Sequence, residues 1–288
     1  MEEHHKPVLL SEVLQVLEPK SGESYLDLTA GYAGHASAIL GVTSNYKDSC
    51  LVDRDDYAVK ILSGKYESEP IEILHMDFYS ATLQLLQCGK TFDMILADFG
   101  VSSPQLDQPD RGFSFSHDGP LDMRMDRGQS VSAQNVVNEY PEAKLIEIFE
   151  KYGELSPGSA RKVARLIVSA RKQKRLETTN ELAELISRDK KAQVFQAIRI
   201  EVNQELLLIE KTLPLLPRLL KPGGRLAIIT FHSLEDRLVK EYFDEASHLG
   251  EESELTLINK KPIIAERLEL VNNPRSRSAK LRSAMKRG

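Results

Sequence analysis

The stretch SYLDLTAGYAGHASAILG, residues 24–41, predicts the fold of the chain. It starts as a short apolar run, passes through a turn that contains Gly31 and Gly34, and continues with helical spacing. An open α/β sheet places ligands at such a turn, against backbone N–H groups and a helix N-terminus. The turn is an incomplete G-x-G-x-x-G, which disfavours a dinucleotide pyrophosphate, and by itself it is more typical of ordinary turn structure than of a binding site.

Apolar runs that predict further strands lie outward from this stretch: SCLVDRD, IEILHMD, FDMILADFG and GRLAIITFHS. Helical stretches separate the first four strands, as in a parallel, doubly wound sheet. From about residue 131 to 213 the spacing is helical, and the fifth strand follows only after the Pro-Gly-Gly turn at 222–224. We therefore predict an α/β sheet domain, residues 1–125 and 208–288, with an inserted all-helical domain, residues 126–207.

Composition excludes several classes of protein. The 288 residues hold two cysteines without C-x-x-C spacing, so neither a disulfide scaffold nor a metal site is expected. The start lacks a secretory pattern and no run of about 18 apolar residues occurs, which predicts a cytoplasmic protein without a membrane partner. The net charge of -5 hides two basic stretches free of acids, residues 161–175 with seven Lys or Arg and residues 273–288 with six.

Acidic residues end the three strands that follow the first one: Asp53, Asp77 and Asp98. The carboxyl ends of parallel strands meet at one edge, and an acid 22 residues beyond Gly31 stands where nucleoside-binding folds hold ribose hydroxyls. Asp77 and Phe78 offer an acceptor and a flat surface to an adenine. These acids favour S-adenosylmethionine, a sulfonium cation that needs no glycine cradle, while NAD stays open as an alternative.

Longer motifs carry a resemblance to a known family. HKPVLLSEVL, GYAGHASAIL, DFGVSSPQLDQPDRGFSFSHDGPLDMRMD, FQAIRIEVNQEL, LKPGGRLAIITFHSLEDRLVK and NPRSRSAKLRSAMK are similar to segments of the bacterial 16S ribosomal RNA cytosine-N4 methyltransferases, the small-subunit methyltransferase H family. The similarity runs from about residue 5 to 286. It implies a class I methyltransferase fold, S-adenosylmethionine as methyl donor, and a decoding-centre cytidine of 16S rRNA in the small ribosomal subunit as target.

The resemblance also implies site residues. Cofactor contacts would come from the first turn with Gly31 and from these matching positions: Ala33, Gly34, His35, Asp53, Phe78, Asp98 and Gln105. A cytosine N4 amine is a poor nucleophile, so acceptors must hold its hydrogens while the nitrogen is aligned with the methyl group. We expect Asp98 and the turn at Ser102, Ser103 and Pro104 to do this, and His232 to line the acceptor pocket.

RNA contacts are expected from the irregular loop and the basic helix. Phe113 and Phe115 are candidates for the edge against which an unstacked base lies, or else for buried anchors of the loop. Arg111, Arg124 and Arg127 would bind phosphates or pair with Asp118, Asp122 and Asp126, and we expect the structural role for at least half of them. The helix would bind phosphates through Arg161, Lys162, Arg165, Arg171 and Arg175, and the terminal segment would add a flexible contact.

Two other functions compete with this interpretation. Leu28 and Ala33 stand where relatives usually have glycine, which motivates a non-catalytic ribosome-assembly factor on a methyltransferase fold. A small-molecule NAD dehydrogenase would leave the basic segments without a role. Because both basic segments supply affinity and not base selection, the expected substrate is an assembled or partly assembled small subunit. The sequence does not determine the oligomeric state.

Overall fold

The computed structural model describes residues 7–248 and 253–288, which form two compact units. The first unit comprises Met1–Gly100 and Leu206–Gly288, and the second comprises Val101–Glu205. Among the described residues, no helix is both long and apolar enough to cross a membrane.

The first unit alternates strands and helices. Its strands are β1 (Tyr25–Asp27), β2 (Cys50–Asp53), β3 (Glu72–His75), β4 (Phe92–Asp98), β5 (Leu220–Thr230), β6 (Leu255–Leu257), β7 (Ile263–Ile264) and β8 (Lys280–Lys286). Its helices are α1 (Leu10–Leu17), α2 (Gly34–Thr43), α3 (Asp56–Lys65), α4 (Phe78–Gln87), α11 (Glu205–Thr212, which begins at the unit boundary), α12 (Leu216–Leu219), α13 (Ser233–Ser247) and α14 (Arg267–Asn272). Short 3-10 turns lie at Leu213–Leu215 and Pro274–Ser278.

The strands form one sheet with the order β3-β2-β1-β4-β5-β8-β6, and β7 pairs with β8. β1 to β5 are parallel, whereas β8 runs antiparallel to β5, β6 and β7. β4 is buried along Met94–Ala97 because apolar side chains cover both faces of the sheet. The parallel arrangement brings the ends of β1, β2 and β4 to one edge, where the acidic residues lie.

The prediction of an α/β fold with a mainly parallel sheet is confirmed, including all five parallel strands. The prediction of a flexible basic tail is wrong. Residues 280–286 form β8, which lies between β5 and β6 and is buried along Leu281–Ala284. Asp236 on α13 accepts hydrogen bonds from Lys280 and Arg282, at 2.8 and 2.7 Å. These basic residues therefore join the strand to the sheet unit.

The second unit is helical. It contains α5 (Ser103–Asp107), α6 (Ala133–Glu139), α7 (Glu142–Lys151), α8 (Pro157–Gln173), α9 (Thr179–Glu184) and α10 (Lys191–Asn203), with a 3-10 turn at Pro109–Arg111. We predicted a start at residue 126, whereas this unit starts at Val101. The difference has a physical cause: Leu121, Met123 and Met125 of the irregular loop are buried in the same core as Phe149 and Ile198.

Candidate active site

Asp53, at the end of β2, is bound to the turn that follows β1. Its Oδ2 accepts the N–H of Gly31 at 2.8 Å, and its Oδ1 accepts the N–H of Asp55 at 2.8 Å. Burial raises the pKa of Asp53 to about 6, although both backbone hydrogen bonds oppose the shift. Each carboxylate oxygen keeps a further lone pair, which leaves the group able to accept a ribose hydroxyl.

Asp27, at the end of β1, is a buried carboxyl group that the sequence patterns did not single out. Tyr25 donates its hydroxyl to Asp27 Oδ2 at 2.7 Å, and Thr29 donates its N–H to Oδ1 at 3.1 Å. Burial raises the pKa of Asp27 to about 7. The signal was present in the sequence, since an acid directly follows the apolar run SYL, as at the other strand ends.

Asp98, at the end of β4, has a carboxylate oxygen suited to binding a ligand. Its Oδ1 is buried and has no hydrogen-bond partner among residues 7–248 and 253–288. Its N–H donates to Thr29 Oγ1 at 2.6 Å, so the Asp27–Thr29 segment also positions the Asp98 backbone. Burial, with the nearby charges of Asp27 and Glu235, raises the pKa of Asp98. A buried carboxylate oxygen without a partner is costly, which makes this atom a candidate to bind a ligand N–H group or cation.

His35 and Gly34 begin α2 and bring the N-terminal segment close to this edge. His35 is buried, and its Nε2 lies 2.9 Å from the carbonyl oxygen of Val8, while its Nδ1 lies 3.7 Å from Asp98 Oδ2. A Cβ on Gly34 would lie 2.6 Å from Pro7 Cγ, so only glycine allows this approach. The residue before it, Ala33, has φ 62°, a left-handed conformation that costs about 1 kcal/mol in a non-glycine residue.

Phe78 and Asp77 have different roles at the end of β3. Phe78 is half-buried, and its ring centroid lies 5.1 Å from that of Phe99. Asp77 instead caps α4, since Oδ1 accepts the N–H groups of Tyr79 and Ser80, both at 3.0 Å, and Oδ2 accepts the Ser80 hydroxyl at 2.7 Å. Helix capping therefore explains the acid that follows β3, whereas it does not explain Asp53 or Asp98.

His232, predicted to line the acceptor pocket, is the N-cap of α13. Its Nδ1 accepts the N–H of Glu235 at 3.4 Å, and Glu235 Oε2 accepts the N–H groups of Phe231 and His232 at 2.7 and 3.3 Å. His232 Nε2 lies 3.1 Å from Glu235 Oε1. This reciprocal capping box gives both side chains a structural role at the helix start.

These residues fit a cationic nucleoside cofactor. Gly31, Ala33, Gly34 and His35 form the turn, and Asp53 and Asp98 each hydrogen-bond to the segment between β1 and α2. The buried Asp98 Oδ1 has no hydrogen-bond partner in the described chain, so binding of a positively charged group beside it would be favourable. In contrast, a pyrophosphate would face several carboxyl groups and no Lys or Arg of this turn.

Gln105 and the turn at Ser102 belong to the helical unit. Gln105 is buried, and its Oε1 accepts the N–H of Ser102 at 3.1 Å. The side chains of Ser103 and Pro104 lie outside the described part of the structure. The roles that the sequence assigned to these four residues stay predictions.

The irregular loop is held by its own arginine residues. Arg111 is 5% exposed and donates to the carbonyl oxygens of Arg124 and Met125, at 3.1 and 3.0 Å. Arg124 forms two hydrogen bonds with Asp122, at 2.6 and 3.1 Å, and Arg127 pairs with Asp110 at 2.9 Å. These contacts agree with the expected structural role of at least half of the loop arginines, and they place Arg111 inside the unit instead of on its surface.

The loop aromatics differ in exposure. Phe113 is 6% exposed and belongs to the core of the helical unit, below the guanidinium of Arg111 at 5.8 Å. Phe115 is 39% exposed and makes an edge contact with Phe195 at 5.3 Å. The burial of Phe113 favours its role as a loop anchor. Of the two aromatic residues, Phe115 is the one exposed enough to stack against a base.

The predicted phosphate-binding residues on α8 and just after it fall into two groups. Arg171 donates to the carbonyl oxygens of Val137 and Tyr140, both at 2.7 Å, and Arg175 pairs with Glu139 at 3.0 Å. Arg161, Lys162 and Arg165 are exposed and line a surface cavity of about 480 Å³ together with Gly158, Leu166 and Ser169. The first two have no ion-pair partner among the described residues, and Arg165, 72% exposed, approaches Glu142 at 3.5 Å.

Known proteins resemble this chain over its full length. Residues 2–287 match the family described as MraW methylase family. The chain is 43% identical over 307 residues to "Ribosomal RNA small subunit methyltransferase H" of Geobacter sp. (strain M21), with 97% of each chain covered. It is 44% identical over 302 residues to the protein of the same name from Mesomycoplasma hyopneumoniae (strain 7448), with 98% of this chain and 99% of that protein covered.

Solved structures show a weaker likeness. The structure of TrmN from Thermus thermophilus has 12% sequence identity and a TM-score of 0.45, with 96% of this chain covered. The aligned part is 48% of that structure, so the chain spans about half of its length.

Proposed function

The chain belongs to the MraW methylase family, as the sequence motifs predicted, and from this membership we propose that it methylates the N4 amine of a cytidine in the decoding centre of 16S rRNA. The methyl donor in this proposal is S-adenosylmethionine, and the substrate is the small ribosomal subunit. The observation that carries the proposal concerns Asp98, which ends β4 next to the strand that leads into the Gly31 turn. Its Oδ1 is buried and has no hydrogen-bond partner among the described residues. The names of the curated relatives support the RNA substrate.

The cofactor assignment rests on the acids at the sheet edge. S-adenosylmethionine, when bound, supplies an electrophilic methyl group on a positively charged sulfur. Asp53 would hold the ribose hydroxyls, Phe78 would lie against the adenine, and the turn from Gly31 to His35 would surround the remainder. Asp98 would lie nearest to the charge, since a cation stabilises the ionised form of a buried carboxyl group.

Asp98 also suits the chemistry of the acceptor amine. The lone pair of the cytosine N4 is delocalised into the ring, so the amine needs an acceptor for its hydrogens and a defined orientation. An ionised carboxylate accepts hydrogen bonds only, which selects an N–H donor over a carbonyl group at this position. We assign Asp98 this function and retain Ser102, Ser103 and Pro104 as partners in the same step.

The exposed face of α8 is the proposed RNA contact. Arg161, Lys162 and Arg165 present three cations on one face, in a protein whose net charge is -5. Such a local positive surface binds phosphates without reading sequence, so selection of the cytidine would depend on the shape of the assembled particle. Arg171 and Arg175 would support this face through their contacts with α6 and its C-terminal end.

Mass spectrometry of small-subunit RNA tests the proposal. Purified subunits that lack the modification are treated with the protein and isotopically labelled S-adenosylmethionine, and the digested RNA is analysed for labelled nucleosides. We expect one labelled N4-methylated cytidine from the wild type, none from Asp98→Asn, and wild-type labelling from Asp48→Asn, which removes one exposed carboxylate in a turn. Naked RNA oligomers of the same sequence should be poorer substrates.

The competing interpretation, a non-catalytic assembly factor, makes a different prediction in the same assay. It requires that wild-type protein binds the particle but transfers no label. A labelled base other than cytidine, or a label on the cytidine C5 carbon, would contradict the N4 assignment while leaving RNA methylation intact.

A further inference from the structure

His35 contacts both the N-terminal segment and Asp98. Its imidazole is 7% exposed, with Nε2 at 2.9 Å from the Val8 carbonyl oxygen and Nδ1 at 3.7 Å from Asp98 Oδ2. A carbonyl oxygen only accepts hydrogen bonds, so Nε2 must carry a proton. In the neutral ring, Nδ1 therefore presents its lone pair on the side of Asp98.

Several ionisable groups surround Asp98 besides His35. Asp27 and Tyr25 approach from β1, and Glu235 approaches from α13. The carboxyl groups of Asp27 and Glu235 disfavour a negative charge on Asp98. The Tyr25 hydroxyl already donates a hydrogen bond to Asp27, at 2.7 Å. Among the described groups named here, the imidazole of His35 becomes positive on protonation, so His35 is able to offset a negative charge on Asp98.

We propose that His35 is a positioning residue that makes Asp98 the acceptor of the proton lost by the cytidine amine. This inference rests on the proposed function. Methyl transfer forms the bond between N4 and the methyl carbon and breaks the methyl–sulfur bond, whose electron pair stays on sulfur. One N4–H bond breaks, its electron pair stays on nitrogen, and the proton goes to Asp98, whose Oδ2 faces Nδ1 of His35 at 3.7 Å.

The charges at the site explain why this acceptor suits the reaction. Before transfer, an ionised Asp98 balances the positive sulfur. After transfer the sulfur is neutral, so an Asp98 that remained ionised would be a largely buried negative charge beside Asp27 and Glu235, without the positive sulfur to balance it. Transfer of the amine proton to the Asp98–His35 pair removes this charge in the same reaction, and the site stays close to neutral throughout.

Nitrogen-15 NMR of the histidine rings tests this role without requiring turnover. The protein is labelled at its histidines, and the His35 signals are assigned by their loss in His35→Gln. Spectra are compared between the complex with S-adenosylmethionine and the complex with its demethylated product, S-adenosylhomocysteine. The two ligands differ by one methyl group and one positive charge, as the site does before and after transfer.

We expect Nε2 of His35 to be protonated in both complexes and the Nδ1 signal to shift toward the protonated position when the product replaces the donor. In Asp98→Asn the Nδ1 signal should be the same in both complexes. His248, exposed at the C-terminal end of α13, provides an internal control and should not respond. A His35 ring protonated at Nδ1 alone, or an Nδ1 signal that is equal in both wild-type complexes, would overturn the inference.

Proton counting by calorimetry gives a second measurement. Binding of each ligand is titrated in two buffers of different ionisation enthalpy. The wild type should release more protons with S-adenosylmethionine than with the product, by up to about one per site, because the cation favours an ionised Asp98. The exposed control His75→Gln should retain this difference and Asp98→Asn should lose it. Equal proton counts for the two ligands in the wild type would overturn this inference but not the proposed function. Failure of both ligands to bind would overturn the proposed function.

Discussion

The carboxylate of Asp53 accepts the backbone N–H of Gly31 at 2.8 Å, so the end of β2 holds the turn that follows β1. This hydrogen bond connects two neighbouring strands at the edge where Asp27 and Asp98 also lie. Asp53 therefore both shapes the turn and remains available to a ligand. The same carboxylate would hold the cofactor ribose in the function that we propose.

Replacement of Asp53 tests this double role. Asp53→Asn keeps the size of the side chain but leaves one acceptor oxygen where the carboxylate has two. We expect it to weaken binding of S-adenosylhomocysteine by about tenfold to a hundredfold, the value of one or two charge-assisted hydrogen bonds. Calorimetric titration measures the change, and Asp56→Asn, exposed on α3, is the control that should bind as the wild type does. Unchanged affinity of Asp53→Asn would contradict the role in ribose binding.

A methyl group on Gly34 should disturb the approach of the N-terminal segment. In Gly34→Ala the new Cβ would lie 2.6 Å from Pro7 Cγ, which pushes the segment away and weakens the contact of Val8 with His35. We expect a loss of about 1–3 kcal/mol in the free energy of unfolding, as for overpacked sites, and weaker cofactor binding.

Gly41→Ala is the matched control for that change. Gly41 lies on the same helix, and the position that its added Cβ would take faces open space, so alanine should be neutral or stabilising by up to about 1 kcal/mol. Urea unfolding measures both variants. If Gly34→Ala proved as stable as Gly41→Ala, the close approach of Pro7 would not constrain this turn.

Asp27 should make the stability of the protein depend on pH. Its pKa is raised by burial from 3.8 to about 7, so the folded state holds this proton at pH values where the unfolded chain has released it. The contribution of Asp27 to stability is complete below about pH 4 and is lost as the pH rises toward 7, by at most about 1.4 kcal/mol per pH unit.

The variant Asp27→Asn cannot ionise, so its stability relative to the wild type should improve as the pH rises from 4 to 7. Urea unfolding at several pH values measures the difference between the two proteins, in which the shared contributions of Asp53 and Asp98 largely cancel. Asp48→Asn should run parallel to the wild type. If the stability of Asp27→Asn ran parallel to that of the wild type from pH 4 to 7, Asp27 would already be ionised in the folded protein over this range.

Charge reversal on α8 should weaken RNA binding through the phosphates. For Arg161→Glu combined with Lys162→Glu, we expect lower affinity for small-subunit RNA and a plot of log affinity against log salt whose slope is smaller by roughly one to two. The control combines Lys20→Glu with Lys47→Glu, two exposed residues of the sheet unit that alter the net charge equally. Equal effects of the two pairs would show that net charge and not the α8 face controls binding.

The parallel part of the sheet was predictable from the sequence because each of its five strands is a short apolar run, and an acid ends or closely follows four of them. The strand β8 was not predictable in this way. Its sequence KLRSAMK mixes three basic residues with small and apolar ones. It becomes a strand because Asp236 neutralises Lys280 and Arg282 and because β5 and β6 supply partners on both sides. Such support is tertiary and leaves no periodic signal in the segment itself.

The candidate site was predictable in part for the same reason. Asp53 and Asp98 follow from their positions after strands, but the same pattern also selected Asp77, whose oxygens cap α4. A sequence does not distinguish a capping acid from one that faces a ligand, because both follow a strand and precede a helix. Likewise, Arg111 and Arg171 look like surface cations, and only the fold reveals the carbonyl oxygens that hold them.

A crystal structure with S-adenosylhomocysteine bound tests the central claim most directly. We predict that the ribose hydroxyls lie within hydrogen-bonding distance of Asp53 and that the sulfur lies on the side of Asp98, with the Gly31 turn around the amino acid part. A ligand bound away from this edge, or one in place with Asp98 on the far side of the adenine, would contradict it.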